Sequence, residues 1–312
     1  YSQRTLQKSR GNIKIIFIIM KRTLISETPK LIGQKVKLAG WISVRRDHGK
    51  LIFIDLRDRS GSVQMVVIPD KVEAHKVAKE ARNEYAIEIE GLVKERPGSQ
   101  IKDDSPTGKV EIEVDDMKIV SRTEGELLFD ASKKDLDLNL PTLLDNRNLA
   151  LRNGKINDIF KVYAQILKSY AEVMNENGFL EIKTPKIVSA ATEGGANFFK
   201  IKYFKRDAFL AQSPQFYKQA GVGAFERVFE IGPVFRAEPH YTTRHVNEYV
   251  SLDAEMGFIE SFSDIMDMLE VAVKKIISDV KKNCQEELKE YPSEFLVPKK
   301  IPRIKLTEAL EI

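Results

Sequence analysis

The densest run of chemistry-bearing side chains spans residues 235–249, where Arg236, Glu238, His240, Arg244, His245 and Tyr249 fall between two strand-like runs. Two of the chain's four histidines are among them. A guanidinium fixed at a strand end can fork onto a phosphate, which suits Arg236 to the α-phosphate of a nucleoside triphosphate. Arg244 and His245, farther out on the loop, suit β- and γ-phosphate oxygens. Tyr249 offers a ring face for a purine, worth about 1–3 kcal/mol when a base stacks, and Glu238 can accept from an adenine amino group. A solvated basic hairpin is the plain alternative for such a loop in a chain that is 31% charged.

The elements that must hold this loop are strands. Val228, Phe229, Ile231 and Val234 lead into it, and Val250, Leu252, Ala254 and Met256 alternate with Ser251, Asp253 and Glu255 on the way out. The pattern predicts an antiparallel hairpin with a charged tip. Upstream, Gln215 and Lys218 lie in the run 212–219, and Glu193 lies in the glycine-flexed run 190–196. Lys218 provides a point charge for a carboxylate, Gln215 can orient an ammonium or carboxyl group, and Glu193 can close on an α-ammonium. Taken singly, Lys218 reads as a surface lysine and Glu193 as a loop solubiliser. No Gly-x-x-x-x-Gly-Lys-Ser/Thr loop occurs, and Gly221, Val222 and Gly223 are followed by Ala224, Phe225 and Glu226, which fails the dinucleotide pattern. Bound ATP therefore needs a fold other than those two.

A chain of 312 residues with 42% hydrophobic content can bury the cores of two domains. A formal charge of +4 permits a nucleic-acid partner without requiring one. The single cysteine, Cys284, excludes an internal disulfide framework and a thiolate zinc cluster, and makes a reducing, cytoplasmic setting the default. Residues 13–20 are apolar but interrupted by Lys14 and too short to span a bilayer. Residues 1–19, which begin with Tyr1, are expected to be leader or upstream sequence outside the native fold.

Short β-type runs at 36–44, 51–56, 62–67, 85–93 and 110–120, with a helix-like insert at 71–83, predict a five-stranded OB-type barrel over 20–122. A polar linker follows over 123–152. From residue 153 the period changes to that of helices, giving an α+β domain over 153–312. Ile156, Ile159, Phe160, Tyr163, Ile166, Leu167, Tyr170 and Met174 mark one helix face, with Gly178 placed to end it. A second helix at 263–282 presents Ile265, Leu269, Val273, Ile276 and Val280 as its buried face.

The order Phe235, Arg236, Glu238, Arg244, His245, Tyr249 resembles the second motif of the class II aminoacyl-tRNA synthetases. Residues 178–185, ending in Pro185, resemble the first motif, which in that family builds the dimer interface. The runs 190–196 and 212–219 resemble the amino-acid pocket of the aspartyl branch, and 40–49 with 51–64 resemble its anticodon-binding domain. Over 20–312 the resemblance implies an OB-fold barrel followed by a class II antiparallel-sheet catalytic domain, acting as an aspartate-tRNA ligase on ATP with Mg2+. It implies Arg236 at the reacting phosphorus, and L-aspartate held by Glu193, Gln215, Lys218 and Arg236, with Asp253 holding Lys218. For tRNA(Asp) it implies Arg45 and Arg46 on the RNA backbone, Phe53 stacking a base, and Gln64 and Glu111 reading base edges. His48 beside the third anticodon base implies that tRNA(Asn) is also accepted. A homodimer through 178–185 is expected, and no membrane. A buried Lys218 would repel lysine and be left unpaired by asparagine, a discrimination of roughly 10⁴-fold. An asparaginyl enzyme and a catalytically inactive OB-fold tRNA-binding protein are the alternatives. The family's third motif and its acidic metal ligands have no counterpart up to residue 312, so the chain is expected to be a piece cut before them that lacks catalysis by itself.

Overall fold

A computed structural model describes residues 3–9, 12–18, 20–103, 105–190, 197–239, 242, 245–289, 291 and 296–311. The chain divides into two compact units, residues 1–153 and 154–312. In the first, β1 (Gln3–Ser9) and β2 (Asn12–Ile18) pair antiparallel as a two-stranded ribbon, where the sequence led us to expect no native structure.

The remaining strands of this unit close into the expected barrel. They are β3 (Lys35–His48), β4 (Leu51–Asp58), β5 (Gly61–Val67), then, after helix α1 (Val72–Glu80), β6 (Ala86–Glu95) and β7 (Val110–Ser121), in the order β3-β4-β5-β7-β6. Strict alternation drives closure: Ile52, Ile54 and Leu56 of β4 are fully buried while Leu51, Phe53, Asp55 and Arg57 face outward to varying degrees. Each buried aliphatic side chain contributes about 1.5–3 kcal/mol. Where β3 crosses β4, Gly40 leaves no room for a side chain, since a Cβ there would lie 2.2 Å from the Arg57 carbonyl oxygen.

The polar segment expected as a linker carries α2 (Leu140–Asp145) and α3 (Arg147–Ala150) and groups with the barrel. Arg152 Nη1 donates to Glu84 Oε2 at 2.7 Å, and Asn153 Nδ2 donates to the Ala131 and Lys133 carbonyls at 3.1 and 2.7 Å. Glu84, buried and at φ 67°, also binds Arg57, so one carboxylate neutralises two guanidinium groups.

The second unit opens with α4 (Gly154–Glu176), which ends at Gly178 in the left-handed conformation at φ 80° that the sequence predicts. After it come β8 (Leu180–Glu181), β9 (Ile187–Val188), β10 (Lys200–Tyr203), β11 (Arg206–Leu210), α5 (Gln215–Phe225), β12 (Arg227–Phe235), β13 (Glu248–Met256), α6 (Phe262–Asn283), α7 (Gln285–Leu288) and α8 (Leu306–Ala309). The strands form two sheets, β10-β11-β9 and β13-β12-β8. The β12–β13 hairpin pairs without a slip from Arg227↔Met256 to Phe235↔Glu248. β8 joins β12 in parallel, so the sheet is mixed rather than purely antiparallel.

Behind this hairpin Tyr170, Val173, Met174, Phe179, Phe229 and Ala272 form the core. The helix stripes read from the sequence are only partly covered: Ile159, Phe160 and Tyr163 of α4 and Ile265 and Leu269 of α6 are exposed. Ile265 and Leu269 instead line a cavity of about 460 Å³ with Tyr170, Met174, Leu252 and Met256. No described helix is long and apolar enough to cross a membrane.

Candidate active site and nucleic-acid interface

The unbroken register of β13 decides what can share a surface. Tyr249, Ser251, Asp253 and Glu255 alternate with Val250, Leu252, Ala254 and Met256, so the first set lies on one face and the second faces the helices. At one end of the polar face, Arg236 follows β12 directly and its backbone N–H donates to the Asn247 carbonyl at 2.9 Å. Its guanidinium carbon sits 5.9 Å from the Tyr249 ring centroid, so the ring proposed for a purine is already approached by a cation. Near the tip, His245 Nε2 is 3.6 Å from Glu238 Oε2, and its Nδ1 lies 2.6 Å from Thr242 Oγ1. Arg244 and His240 lie outside the described residues, as does Glu193.

About 13 Å along the strand from Tyr249, at roughly 3.3 Å per residue, stands the second cluster. Lys218, on α5, reaches the sheet, and its Nζ donates to Asp253 Oδ1 at 3.0 Å and lies 3.6 Å from Glu255 Oε2. Ser251 Oγ donates to Asp253 Oδ2 at 2.6 Å, fixing the carboxylate from its other side. The Lys218 side chain is only 12% exposed. Lys218 is therefore not the lone ammonium expected from the sequence, because two carboxylates already flank it. A neutral substrate side chain therefore leaves no unpaired charge there. Gln215 opens α5, with its N–H donating to Ser213 Oγ at 3.3 Å and its side chain half-buried.

Residues that the sequence reading passed over complete the polar face. Glu230 is the register partner of Asp253 and is 3% exposed. It accepts from Thr184 N–H at 2.9 Å, Thr184 Oγ1 at 2.7 Å and Lys186 Nζ at 2.9 Å. Two carboxylates thus stand side by side on adjacent strands, each with its own lysine, which relieves the repulsion that facing like charges suffer. A lone glutamate among Val228, Phe229 and Ile231 was the signal for Glu230. Below the sheet, burial and then the Asp253 carboxylate push the Tyr170 phenol above its usual range.

On the barrel, Phe53 sits half-buried on the outer face of β4, with the His48 ring edge-on at 5.6 Å. Arg46, its register partner, pairs with Asp55 at 3.0 Å. Gln64 Nε2 donates to Glu111 Oε2 at 3.3 Å, joining the neighbouring strands β5 and β7. Arg45 is not with them: its Nε donates to the Ala78 carbonyl of α1 at 2.8 Å, and its Nη2 pairs with Asp47 at 2.9 Å.

Residues 36–120 match the family model for an OB-fold nucleic acid binding domain. The chain is 43% identical over 289 residues to an aspartate-tRNA(Asp) ligase of Pyrococcus abyssi, covering 91% of this chain and 64% of that protein. An aspartate-tRNA(Asp/Asn) ligase of Archaeoglobus fulgidus is 42% identical over 289 residues, covering 91% and 65%. The chain therefore spans just under two thirds of the length of these curated relatives. Among solved structures, asparaginyl-tRNA synthetase from Pyrococcus horikoshii complexed with asparaginyl-adenylate superposes at a TM-score of 0.84 with 30% identity, over 94% of this chain and 67% of that one. A putative aspartyl-tRNA synthetase from Leishmania major gives 0.79 and 31%, over 89% and 56%. Residues 139–312, more than half of the sequence, match the model for class II tRNA synthetases of the D, K and N group, and the chain belongs to that family.

Proposed function

We propose that the chain supplies the amino-acid-activating and RNA-reading parts of an aspartate-tRNA ligase, with ATP, L-aspartate and tRNA(Asp) as substrates. One observation carries this reading: a single polar face of the β12–β13 hairpin holds Arg236 with Tyr249 at one end and Lys218 with Asp253 and Glu255 at the other. A molecule with a nucleotide at one end and an amino acid at the other matches that spacing. The α-carboxylate of aspartate attacks the α-phosphorus of ATP, pyrophosphate leaves, and the terminal ribose hydroxyl of the tRNA then attacks the acyl carbon of the aspartyl-adenylate, taking the aspartyl group and releasing AMP. Arg236 stabilises charge at the phosphorus. Tyr249 and Glu238 hold the adenine, and Arg244 and His245 the outer phosphates. Glu193 and Gln215 orient the amino acid, and Lys218, steadied by Asp253, faces its acidic side chain. Alignment of the bound reactants supplies about 7–11 kcal/mol without a covalent enzyme intermediate.

Magnesium enters this reading as the counter-ion of the triphosphate. Among the described residues no group of three His, Cys, Asp or Glu side chains could hold a metal ion, so no step is assigned to a resident one. The barrel face with Phe53, His48, Arg46, Gln64 and Glu111 reads the anticodon, with Arg45 serving α1 instead. Acceptance of tRNA(Asn) is supported by His48 lying against Phe53 and by the name of the Archaeoglobus fulgidus relative. A homodimer through 178–185, where Leu180 is exposed, and a cytoplasmic setting belong to the same reading.

Calorimetric titration with non-hydrolysable aspartyl- and asparaginyl-adenylate analogues tests it. The aspartyl compound is expected to bind more tightly, and Arg236→Ala to weaken both while tRNA binding persists. Tighter binding of the asparaginyl compound transfers the assignment to an asparaginyl enzyme, which the already paired Lys218 would accommodate. Binding of tRNA with neither analogue leaves an RNA-binding protein.

A further inference from the structure

The β10–β11 hairpin plays no part in the site described above, yet its tip concentrates charge and aromatic surface. Tyr203 and Arg206 are register partners, so Phe204 and Lys205 form a two-residue turn. Phe204 is 85% exposed and sits at φ 53°. Positive φ at the first central position is the pattern of a turn in which glycine is the ordinary residue. Folding therefore gains little from a phenyl ring at this place: the ring is largely exposed and occupies a backbone conformation that glycine reaches more easily.

The ring is not loose. Tyr203 meets it edge-on at a centroid distance of 4.9 Å, and the Arg206 guanidinium carbon lies 5.8 Å from the Tyr203 centroid. Cations surround the pair: Lys200, Lys202, Lys205 and Arg206 lie on eight successive residues with one carboxylate, Asp207, which pairs with Lys200 at 2.8 Å and Lys202 at 3.5 Å. An outward aromatic platform flanked by excess positive charge fits a strand whose backbone is anionic and whose bases have exposed π-faces. A second copy of this tip, carrying the same charges, fits poorly.

We infer that the β10–β11 tip is a nucleic-acid contact of the second unit, with Phe204 stacking an unpaired base and Lys205 and Arg206 meeting adjacent phosphates of the RNA's amino-acid-accepting end. The inference rests on the tRNA-ligase reading. It adds a surface separate from the barrel face around Phe53.

The test uses the whole chain and two RNAs, intact tRNA(Asp) and a minihelix made of its acceptor stem and single-stranded 3′ end without the anticodon. Phe204→Gly is expected to keep or raise the Tm while weakening minihelix binding about tenfold. Lys205→Ala with Arg206→Ala is expected to flatten the salt dependence by about 0.7–0.9 in log–log slope for each phosphate that is no longer neutralised. Phe53→Ala should leave the minihelix unaffected. If intact tRNA binds but the minihelix does not, or binds all hairpin variants equally, the inference is overturned and the ligase reading stands. A change of sedimentation coefficient in Phe204→Gly makes the tip a contact between copies and also overturns it. Failure of the unaltered chain to bind either RNA removes the ligase reading itself.

Discussion

At the scale of single residues, the site is governed by how carboxylates are neutralised. Asp253 and Glu255 share Lys218, and Glu230 is satisfied by Lys186 and Thr184. Removing one partner of such a group exposes the other to burial without compensation, which costs more than the pair contributes when intact. Lys218→Met is therefore expected to lower stability by about 1–3 kcal/mol and to weaken the aspartyl-adenylate analogue at least tenfold. Chemical denaturation and calorimetry measure the two, and unchanged affinity would falsify a binding role for Lys218. Glu230→Ala leaves Thr184 N–H and Lys186 without their acceptor and is expected to cost about 3–5 kcal/mol, read from the denaturation midpoint. Lys218 and Asp253 were legible as neighbours only through the family resemblance, since strand alternation puts Asp253 on a polar face without saying what meets it. Glu255 lay on the same alternating set but had no assigned partner, and Lys186 was hidden because nothing in a linear sequence places residue 186 beside residue 230.

At the scale of elements, the β-rich regions were the more readable. Each barrel strand lies where alternation of apolar and polar residues put it, with ends extended by up to four residues, because pairing with β4 carries β3 through Arg45, Asp47 and His48 despite their weak β propensity. The helices were legible in position but not in environment. Period gives the stripe of α6, while whether Leu269 is covered depends on what packs opposite it, and there it lines a cavity. The parallel pairing of β8 was likewise invisible, since two residues carry no directional signal. Close approach of backbones is equally silent in sequence. Gly40→Ala must displace the Arg57 carbonyl of the adjacent strand, so it is expected to destabilise the barrel by about 1–3 kcal/mol. Denaturant titration of the barrel's cooperative transition measures this, and a wild-type midpoint would contradict the packing described.

At the scale of the whole molecule, charge is nearly balanced, at +4 over 312 residues. Any attraction to RNA must come from local concentrations such as Arg46 near Phe53 or the β10–β11 tip rather than from a global field. Affinity for tRNA(Asp) is expected to fall steeply between about 50 and about 200 mM salt, in proportion to the phosphates neutralised. A flat profile in a filter-binding series would sink the RNA assignment. If His48 admits either third anticodon base, tRNA(Asn) should follow the same curve within about tenfold, and His48→Ala should alter the ratio between the two RNAs. The order of a barrel and an α+β unit was readable from the change of hydrophobic period near residue 153, while the attachment of residues 123–153 to the barrel through Glu84 was not, because it rests on the long-range pair of Arg152 with Glu84.

The two-sided hairpin also bears on how the protein can change over time. On the proposed reading odd positions of β13 meet reactants, while even positions meet the helices, so the two sets can vary with little reference to each other. A lineage can retune residues 251, 253 and 255 toward a different amino acid while 250, 252, 254 and 256 keep the scaffold intact. Sister enzymes with distinct specificities then need no new architecture, only a few exchanges on one side of a single ribbon.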